Sequence, residues 1–141
     1  MLGSESNNQR LDPRKFRDPL ITAEGERRAV VALTHLRTLW FNTGSLCNIT
    51  CQNCYMDSSP TNDRLAYMTT AEVKWYLDEI EAESLPVEEI AFTGGEPFMN
   101  RDLPGMIEES LARGHRVLVL TNAMKPMWNK RQRLLALVER F

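Results

Sequence analysis

The amino-acid sequence predicts an α/β protein in which three β/α units build a parallel sheet. Apolar segments rich in β-branched and aromatic residues alternate with segments whose apolar residues recur at helical spacing. The order strand, helix, strand, helix, strand, helix is typical of β-α-β units with right-handed crossovers. The chain has 141 residues, which is enough for one domain with a modest core.

The chain begins with a polar segment and two predicted strands. Residues 1–25 are rich in Ser, Asn, Pro and charged residues, and we expect a flexible N-terminal arm there. Residues 29–33 (AVVAL) and 36–42 (LRTLWFN) both have the composition of β-strands. The predicted domain therefore extends over residues 26–141.

The first helix is predicted to begin beside Thr69. Thr69 and Glu72 have the form of a capping box, in which both side chains bond backbone N–H groups at the helix start. Pro86 prevents the helix from continuing through it. The buried face of the helix is expected to carry Val73, Tyr76, Leu77 and Ile80.

The second β/α unit is predicted to follow directly. Residues 87–93 (VEEIAFT) form a predicted strand, and either Asn100 or Asp102 can cap the helix after it. Gly114 is well placed to end this helix, because glycine readily adopts the left-handed conformation. The inward face is expected to carry Leu103, Met106, Ile107, Ser110 and Leu111.

The third unit consists of a predicted strand at residues 116–121 and a helix from about residue 128 to residue 141. The strand (RVLVLT) is nearly all apolar, which is typical of a strand covered on both faces. We expect its outer edge to be open and to favour self-association. One side of the helix is expected to carry Leu134, Leu137, Val138 and Phe141.

Composition and charge exclude several classes of protein. The formal charge is −2, from 17 basic and 19 acidic residues, and the basic residues are scattered, which argues against a nucleic-acid partner. No apolar run exceeds five residues, so no membrane-spanning helix is predicted. The polar N-terminus lacks a signal-peptide hydrophobic region. We therefore expect a cytoplasmic protein, in which clustered thiols are more often ligands than disulfide partners.

All three cysteines lie in one polar loop with the spacing C-x₃-C-x₂-C: Cys47, Cys51 and Cys54. A closed zinc site needs a fourth ligand, and neither His35 nor His115 has a ligand-like spacing; we expect both to be surface or hydrogen-bonded histidines. Three thiolates better match a four-iron cluster with one iron open to a non-protein ligand. A structural zinc, a non-catalytic cluster or three unconnected buried thiols are the alternatives.

Two further turns are predicted at the same edge of the sheet as the cysteine loop. Gly94-Gly95-Glu96-Pro97 follows the predicted strand at residues 87–93, and Thr121-Asn122 lies at the end of the predicted strand at residues 116–121. The carboxyl ends of parallel strands share one edge, where α/β folds place their active sites. Either turn alone is also compatible with an ordinary strand end.

The cysteine spacing together with GGEP resembles the radical S-adenosylmethionine (radical SAM) superfamily. The sequence is similar to its branch of molybdenum-cofactor protein A and peptide- or cofactor-maturing enzymes, which share CN-x₂-C-x₂-CY and TGGEP. The resemblance covers about residues 36–126. It implies the first three β/α units of a partial (β/α)6 TIM-like barrel, so residues 26–141 would be the N-terminal half of a truncated core domain.

The resemblance also implies the cofactors. Cys47, Cys51 and Cys54 would hold a [4Fe–4S] cluster, and S-adenosylmethionine (SAM) would bind the open iron. Reductive cleavage of SAM would give a 5′-deoxyadenosyl radical that abstracts hydrogen from an unidentified substrate, a small molecule or a peptide. A flavodoxin- or ferredoxin-like protein would supply the electron.

Further residues would bind SAM. Gly94 and Gly95 would allow close backbone approach to the cofactor, Glu96 would accept hydrogen bonds from its ammonium group, and Pro97 would fix the turn. The resemblance also places Thr121, Asn122 and the backbone of Asn53 at the cofactor.

One departure concerns Asn53. The family often has an aromatic residue or His immediately before the third cysteine, and this sequence has Asn53 there and Tyr55 just after Cys54. Stacking of adenine from position 53 is therefore lost. Besides a radical SAM enzyme, a non-catalytic iron–sulfur or zinc module and an inactive truncated product are the alternative interpretations.

Overall fold

The computed structural model describes residues 12–14 and 17–141. The described part of the chain divides into two compact units, with the boundary between Thr34 and His35. In the first, Ile21 and Arg27 form an isolated antiparallel bridge around a tight turn. The flexible arm predicted for residues 1–25 lies partly outside the described residues and stays a prediction.

The strand predicted at residues 29–33 is wrong. These residues have no regular secondary structure, and Val30, Val31 and Leu33 are largely exposed. The β-branched side chains of Val30 and Val31 favour an extended backbone, but a strand also needs a neighbouring strand to pair with. Among the described residues, no named strand pairs with this segment.

The second unit contains a parallel three-stranded sheet, as the sequence predicts. Its strands are β1 (Thr38–Asn42), β2 (Glu89–Thr93) and β3 (Arg116–Val119), in the spatial order β1-β2-β3. The register aligns Phe41 with Phe92 and Phe92 with Val119. The α/β class is therefore confirmed, while the partial barrel implied by the resemblance stays a prediction.

Helix α1 (Thr70–Ala82) begins with the predicted capping box. The Glu72 amide donates to the Thr69 hydroxyl at 3.2 Å, and the Thr69 amide donates to the Glu72 carboxylate at 2.7 Å. This amide bond, with the Thr69 hydroxyl, lowers the pKa of Glu72. Of the four residues predicted on the inward face, Val73, Leu77 and Ile80 are buried and Tyr76 is partly exposed.

Helix α2 (Leu103–Ala112) follows a short 3₁₀ turn at Pro97–Met99. Asp102 lies at the N-cap position, but its side chain makes no capping bond; the carboxylate instead accepts from the Thr70 amide at 3.1 Å. The helix starts of α1 and α2 are thereby joined. Gly114 follows the helix end with φ +83°, as its predicted role requires. The predicted inward residues Leu103, Met106, Ile107 and Ser110 are buried, and Leu111 is half-buried.

The third predicted helix is two helices, α3 (Lys125–Trp128) and α4 (Arg131–Arg140). Only Leu137 of its predicted inward residues is buried; Val138 and Phe141 are exposed. The amphipathic spacing correctly indicates a helix, but a helix buries a full stripe only where enough structure packs against it.

The core lies between the sheet and helices α1 and α2. Ile90 and Phe92 of the central strand face this core, with Phe41 from β1. The prediction that the third strand is covered on both faces is wrong: its burial alternates, and Leu118 is exposed. In the described chain α1 and α2 both pack on the face that carries Phe92, and Leu118 points to the opposite face. No helix of the described residues is long and apolar enough to cross a membrane.

Replacing Thr69 with Ala should destabilise the second unit by about 1 kcal/mol, because α1 loses its N-cap acceptor. The free energy of unfolding in a urea titration measures this. Thr69→Ser keeps the hydroxyl and should retain most of the stability. Equal losses in both variants would show that the capping bond contributes little.

Candidate cofactor site

The three predicted site turns do begin at one edge of the sheet. Asn42 at the end of β1 is in register with Thr93 at the end of β2, and the Thr43 amide continues the ladder to the Thr93 carbonyl at 2.8 Å. The Leu120 amide similarly donates to the Phe92 carbonyl at 2.9 Å. The parallel register thus brings the cysteine loop, the GGEP turn and the Thr121–Asn122 turn together, as the sequence predicts.

The GGEP turn packs directly against the start of the cysteine loop. The Gly95 amide donates to the Gly44 carbonyl at 2.9 Å, and the Glu96 amide donates to the Leu46 carbonyl at 3.0 Å. A Cβ atom on Gly95 would overlap the Leu46 carbonyl, and one on Gly94 would lie 2.7 Å from the Gly44 oxygen. The close approach of these two glycines to the cofactor stays a prediction. In the protein itself the neighbour is the backbone of the cysteine loop.

Glu96 is the most constrained side chain of the site. It is 1% exposed, and its carboxylate accepts from the Phe98 amide at 3.0 Å and from the Asn122 amide at 2.9 Å. The Thr121 hydroxyl lies 2.8 and 3.0 Å from the two carboxylate oxygens. Glu96 therefore joins the end of β2 to the turn after β3.

All the donors to Glu96 are neutral. Two are backbone amides and one is a hydroxyl, and none of the ion pairs in the described residues involves this carboxylate. A buried carboxylate is costly without hydrogen bonds, and these donors offset much of that cost.

The three cysteines differ in exposure. Cys47 is buried and Cys54 half-buried, while Cys51 is exposed. The Cys47 amide donates to the Ser59 carbonyl at 3.1 Å, which closes the loop on itself. The Cys54 amide donates to the Cys51 carbonyl at 3.3 Å, which makes the tight turn between the second and third cysteines.

Backbone amides stabilise the thiolate of Cys54. The Ser58 amide donates to the Cys54 sulfur at 3.4 Å. This bond and a second from the Met56 amide lower the pKa of Cys54. The thiolate is the form that binds metals, so the loop favours ligation at this sulfur.

Within residues 12–14 and 17–141, no three His, Cys, Asp or Glu side chains converge into a metal-binding group. Cys47 faces inward and Cys51 outward on the same loop. The assignment of the three thiols as iron ligands therefore stays a prediction.

Asn122 connects the third turn to the cysteine loop, while Asn53 does not take part in such a connection. The side-chain amide of Asn122 donates to the Asn48 oxygen at 3.0 Å. Asn53 lies in an exposed turn between Cys51 and Cys54. Among the described hydrogen bonds, none joins the Asn53 side chain to the other two turns.

Asn100 is a site residue that sequence reasoning missed in this role. It is 2% exposed, and its amide nitrogen donates to the Thr43 carbonyl at 3.1 Å and to the Met68 carbonyl at 2.7 Å. Its oxygen accepts from the Asp102 amide at 2.9 Å. Thr43 and Met68 lie near the two ends of the segment that carries the cysteines. Asn100 thus attaches both ends of this segment to the residues just before α2. An Asn just after GGEP is the available signal, but capping explained it equally well.

Neither histidine belongs to the site. His115 shares a 3.0 Å hydrogen bond with the Val87 carbonyl, and His35 is exposed. Both positions agree with the predicted surface or hydrogen-bonded roles.

Residues 41–140 match the sequence profile of the radical SAM superfamily. The match covers most of the chain and includes the cysteine loop, the GGEP turn and the Thr121–Asn122 turn. The chain belongs to the radical SAM superfamily. The resemblance drawn from the cysteine and GGEP motifs is therefore confirmed, and so is the interpretation that its relatives are enzymes.

Several curated radical SAM proteins are similar to this chain. An Fe-coproporphyrin III synthase of Methanosarcina barkeri is 29% identical over 111 residues, covering 79% of this chain and 25% of that protein. A GTP 3′,8-cyclase of Tolumonas auensis is 33% identical over 81 residues, with coverages of 56% and 24%. An S-adenosylmethionine-dependent nucleotide dehydratase of Selenomonas ruminantium is 29% identical over 76 residues, with coverages of 54% and 26%. The chain therefore spans about a quarter of the length of these relatives.

Replacing Gly95 with Ala should displace the cysteine loop, because the new methyl group meets the Leu46 carbonyl and not a flexible side chain. We expect a loss of about 1–3 kcal/mol in the free energy of unfolding, the range typical of overpacking in a closely packed region. Gly105→Ala is the control, since the three nearest atoms to its methyl would be side-chain atoms of Thr70, and Ala has the higher helix propensity. Equal stability of the two variants would contradict the close packing of GGEP on the loop.

Proposed function

We propose that this radical SAM chain binds a [4Fe–4S] cluster and SAM at the rim formed by its three turns. The observation that carries the proposal is that hydrogen bonds join the GGEP turn, the Thr121–Asn122 turn and the cysteine loop to one another. Glu96 bonds to the Thr121–Asn122 turn, and Asn122 bonds to Asn48 beside Cys47. These bonds therefore hold Glu96, the proposed acceptor for SAM, in a fixed position relative to the cysteine loop.

The residues present fit such a cluster. Three thiols lie within eight residues, and polar donors face two of the sulfurs. The Ser58 amide donates to Cys54, and the Asn122 amide lies 3.9 Å from the Cys47 sulfur. Hydrogen bonds to ligating sulfurs are a recurring feature of iron–sulfur sites. The three-cysteine set leaves one iron for a ligand other than protein.

The chemistry supplied by the bound cofactors is the reductive cleavage of SAM to methionine and a 5′-deoxyadenosyl radical, which abstracts hydrogen from the substrate. The protein residues bind and orient the cofactors. Glu96 would hold the ammonium group of SAM, because a carboxylate has about four acceptor positions and three donors of the described residues reach it. The Thr121 hydroxyl, which is half-buried, would orient this carboxylate.

The other residues of the GGEP turn would leave room for SAM to approach the cysteine loop. Gly94 and Gly95 keep the turn without side-chain bulk, and Pro97 is buried at the first position of the 3₁₀ turn. The backbone of Asn53 would be available to the adenine edge, since that loop segment is exposed.

The reaction consumes one electron for each SAM cleaved, so we propose an external low-potential donor of the flavodoxin or ferredoxin class. The substrate is proposed to be a small molecule or a peptide. The relatives named above act on different substrates, so none of these is carried over to this chain.

Anaerobic reconstitution tests the cluster. The protein should take up about four irons per chain, and added SAM should change the electron paramagnetic resonance spectrum of the reduced cluster. Cys47→Ala, Cys51→Ala and Cys54→Ala should each lose most of the iron, because two thiolates hold the cluster poorly. Stoichiometric zinc without iron, after strictly anaerobic preparation, would instead support a zinc-binding module.

Replacing Glu96 with Gln tests the cofactor acceptor. The substitution removes the charge, and it also replaces one oxygen that accepts from a backbone N–H with an NH2 group. Circular dichroism and iron uptake should therefore first establish that the variant keeps the fold and the cluster. The binding free energy of SAM should weaken by about 1.5–3 kcal/mol, which is a loss of affinity of roughly ten- to a hundredfold. Equilibrium dialysis of reconstituted protein measures this, with Glu139→Gln as the control because Glu139 is exposed on α4. Unchanged affinity in Glu96→Gln would show that SAM binds elsewhere.

A further inference from the structure

The side chain of Asn122 is held in a defined orientation by its neighbours. Its oxygen accepts from the Met124 amide at 3.0 Å, so this atom faces its own turn. Its nitrogen therefore faces the cysteine loop, where it donates to the Asn48 oxygen at 3.0 Å. A flipped amide would place an N–H against the Met124 N–H and an oxygen against the Asn48 oxygen, so the hydrogen bonds fix the assignment.

The same nitrogen lies 3.9 Å from the Cys47 sulfur. A side-chain amide has two N–H donors, which is enough for one bond to Asn48 and one to sulfur. Cys47 is 6% exposed, so water competes little for its sulfur. A donor in such a buried environment interacts more strongly with negative charge than it would in water.

The backbone of Asn122 also holds the proposed SAM acceptor. Its backbone amide donates to Glu96 at 2.9 Å, and its side-chain nitrogen lies 3.9 Å from the Cys47 sulfur. One residue therefore contacts the carboxylate proposed to bind SAM and a thiol proposed to bind iron. Thr121 bonds to the same carboxylate, but no hydrogen bond of the described residues links its side chain to a cysteine.

We propose that Asn122 is a positioning residue that donates a hydrogen bond to the Cys47 ligand and raises the reduction potential of the cluster. This inference rests on the proposed function. Hydrogen bonds to the sulfurs help set the potential of an iron–sulfur cluster. The reduced cluster carries one more negative charge than the oxidised cluster, so an N–H donor at sulfur stabilises the reduced form more. Asn122 thereby eases the reduction of the cluster by the external electron donor.

The test is a redox titration of the reconstituted 141-residue protein without SAM, followed by electron paramagnetic resonance. Asn122→Ala and Asn122→Asp both remove the N–H donor, and Asp keeps an acceptor for the Met124 amide. Both variants should retain the iron content of the unchanged protein. Their midpoint potentials should be more negative, with the larger shift in Asn122→Asp because its charge lies beside sulfur.

Asn48→Ala is the matched control. It removes the neighbouring bond to the Asn122 amide but leaves an N–H for the Cys47 sulfur, so the midpoint potential should stay at the original value. Equal shifts in Asn48→Ala and Asn122→Ala would show that the pair only fastens the loop, and would overturn the proposal. Unchanged potentials in both Asn122 variants would overturn it as well.

The readout separates this inference from the proposed function. A wild-type protein that takes up the cluster but shows no dependence of potential on Asn122 would contradict this inference alone. A wild-type protein that takes up no iron would contradict the proposed function and this inference together. Circular dichroism of each variant establishes that the fold is retained, and Asn122→Asp provides the measurement if Asn122→Ala unfolds.

Discussion

The hydrogen bonds to the buried carboxylate of Glu96 fix the edge of the sheet on which the site depends. Glu96 follows the central strand, and its donors come from the 3₁₀ turn after it and from the turn after β3. A carboxylate this deeply buried is stable only if such donors stay in place. The turns after β2 and β3 are therefore not independent loops, since moving either one leaves buried carboxyl oxygens without their hydrogen-bond donors.

The cysteine loop gains its order from two sides of this fixed edge. On one side, the GGEP backbone bonds to the Gly44 and Leu46 carbonyls, where only glycine leaves room. On the other side, the Asn122 amide bonds to Asn48. Residues 43–69 contain no helix or named strand, and a long segment of this kind in a compact domain is often functional. Asn100 completes the attachment by bonding to carbonyls near both ends of the segment.

This arrangement has a chemical consequence for a superfamily member. A cysteine loop must keep its sulfurs at a constant distance from the groups that bind the second cofactor, because geometry controls electron and group transfer. Here Asn122 contacts both the proposed SAM acceptor and a proposed iron ligand. The proposed iron site and the proposed SAM site are therefore connected through one residue.

The sequence by itself determined the features that rest on local chemistry. These are the capping box at Thr69, the alternation of strands and helices, and the order of the motifs that identify the superfamily. It failed at residues 29–33, where local β propensity lacked a pairing partner. Only the tertiary structure decided the roles of Asn100 and Asn122. Their partners Thr43 and Cys47 lie 57 and 75 residues away in the chain, and a pattern read over short windows carries no information on such contacts.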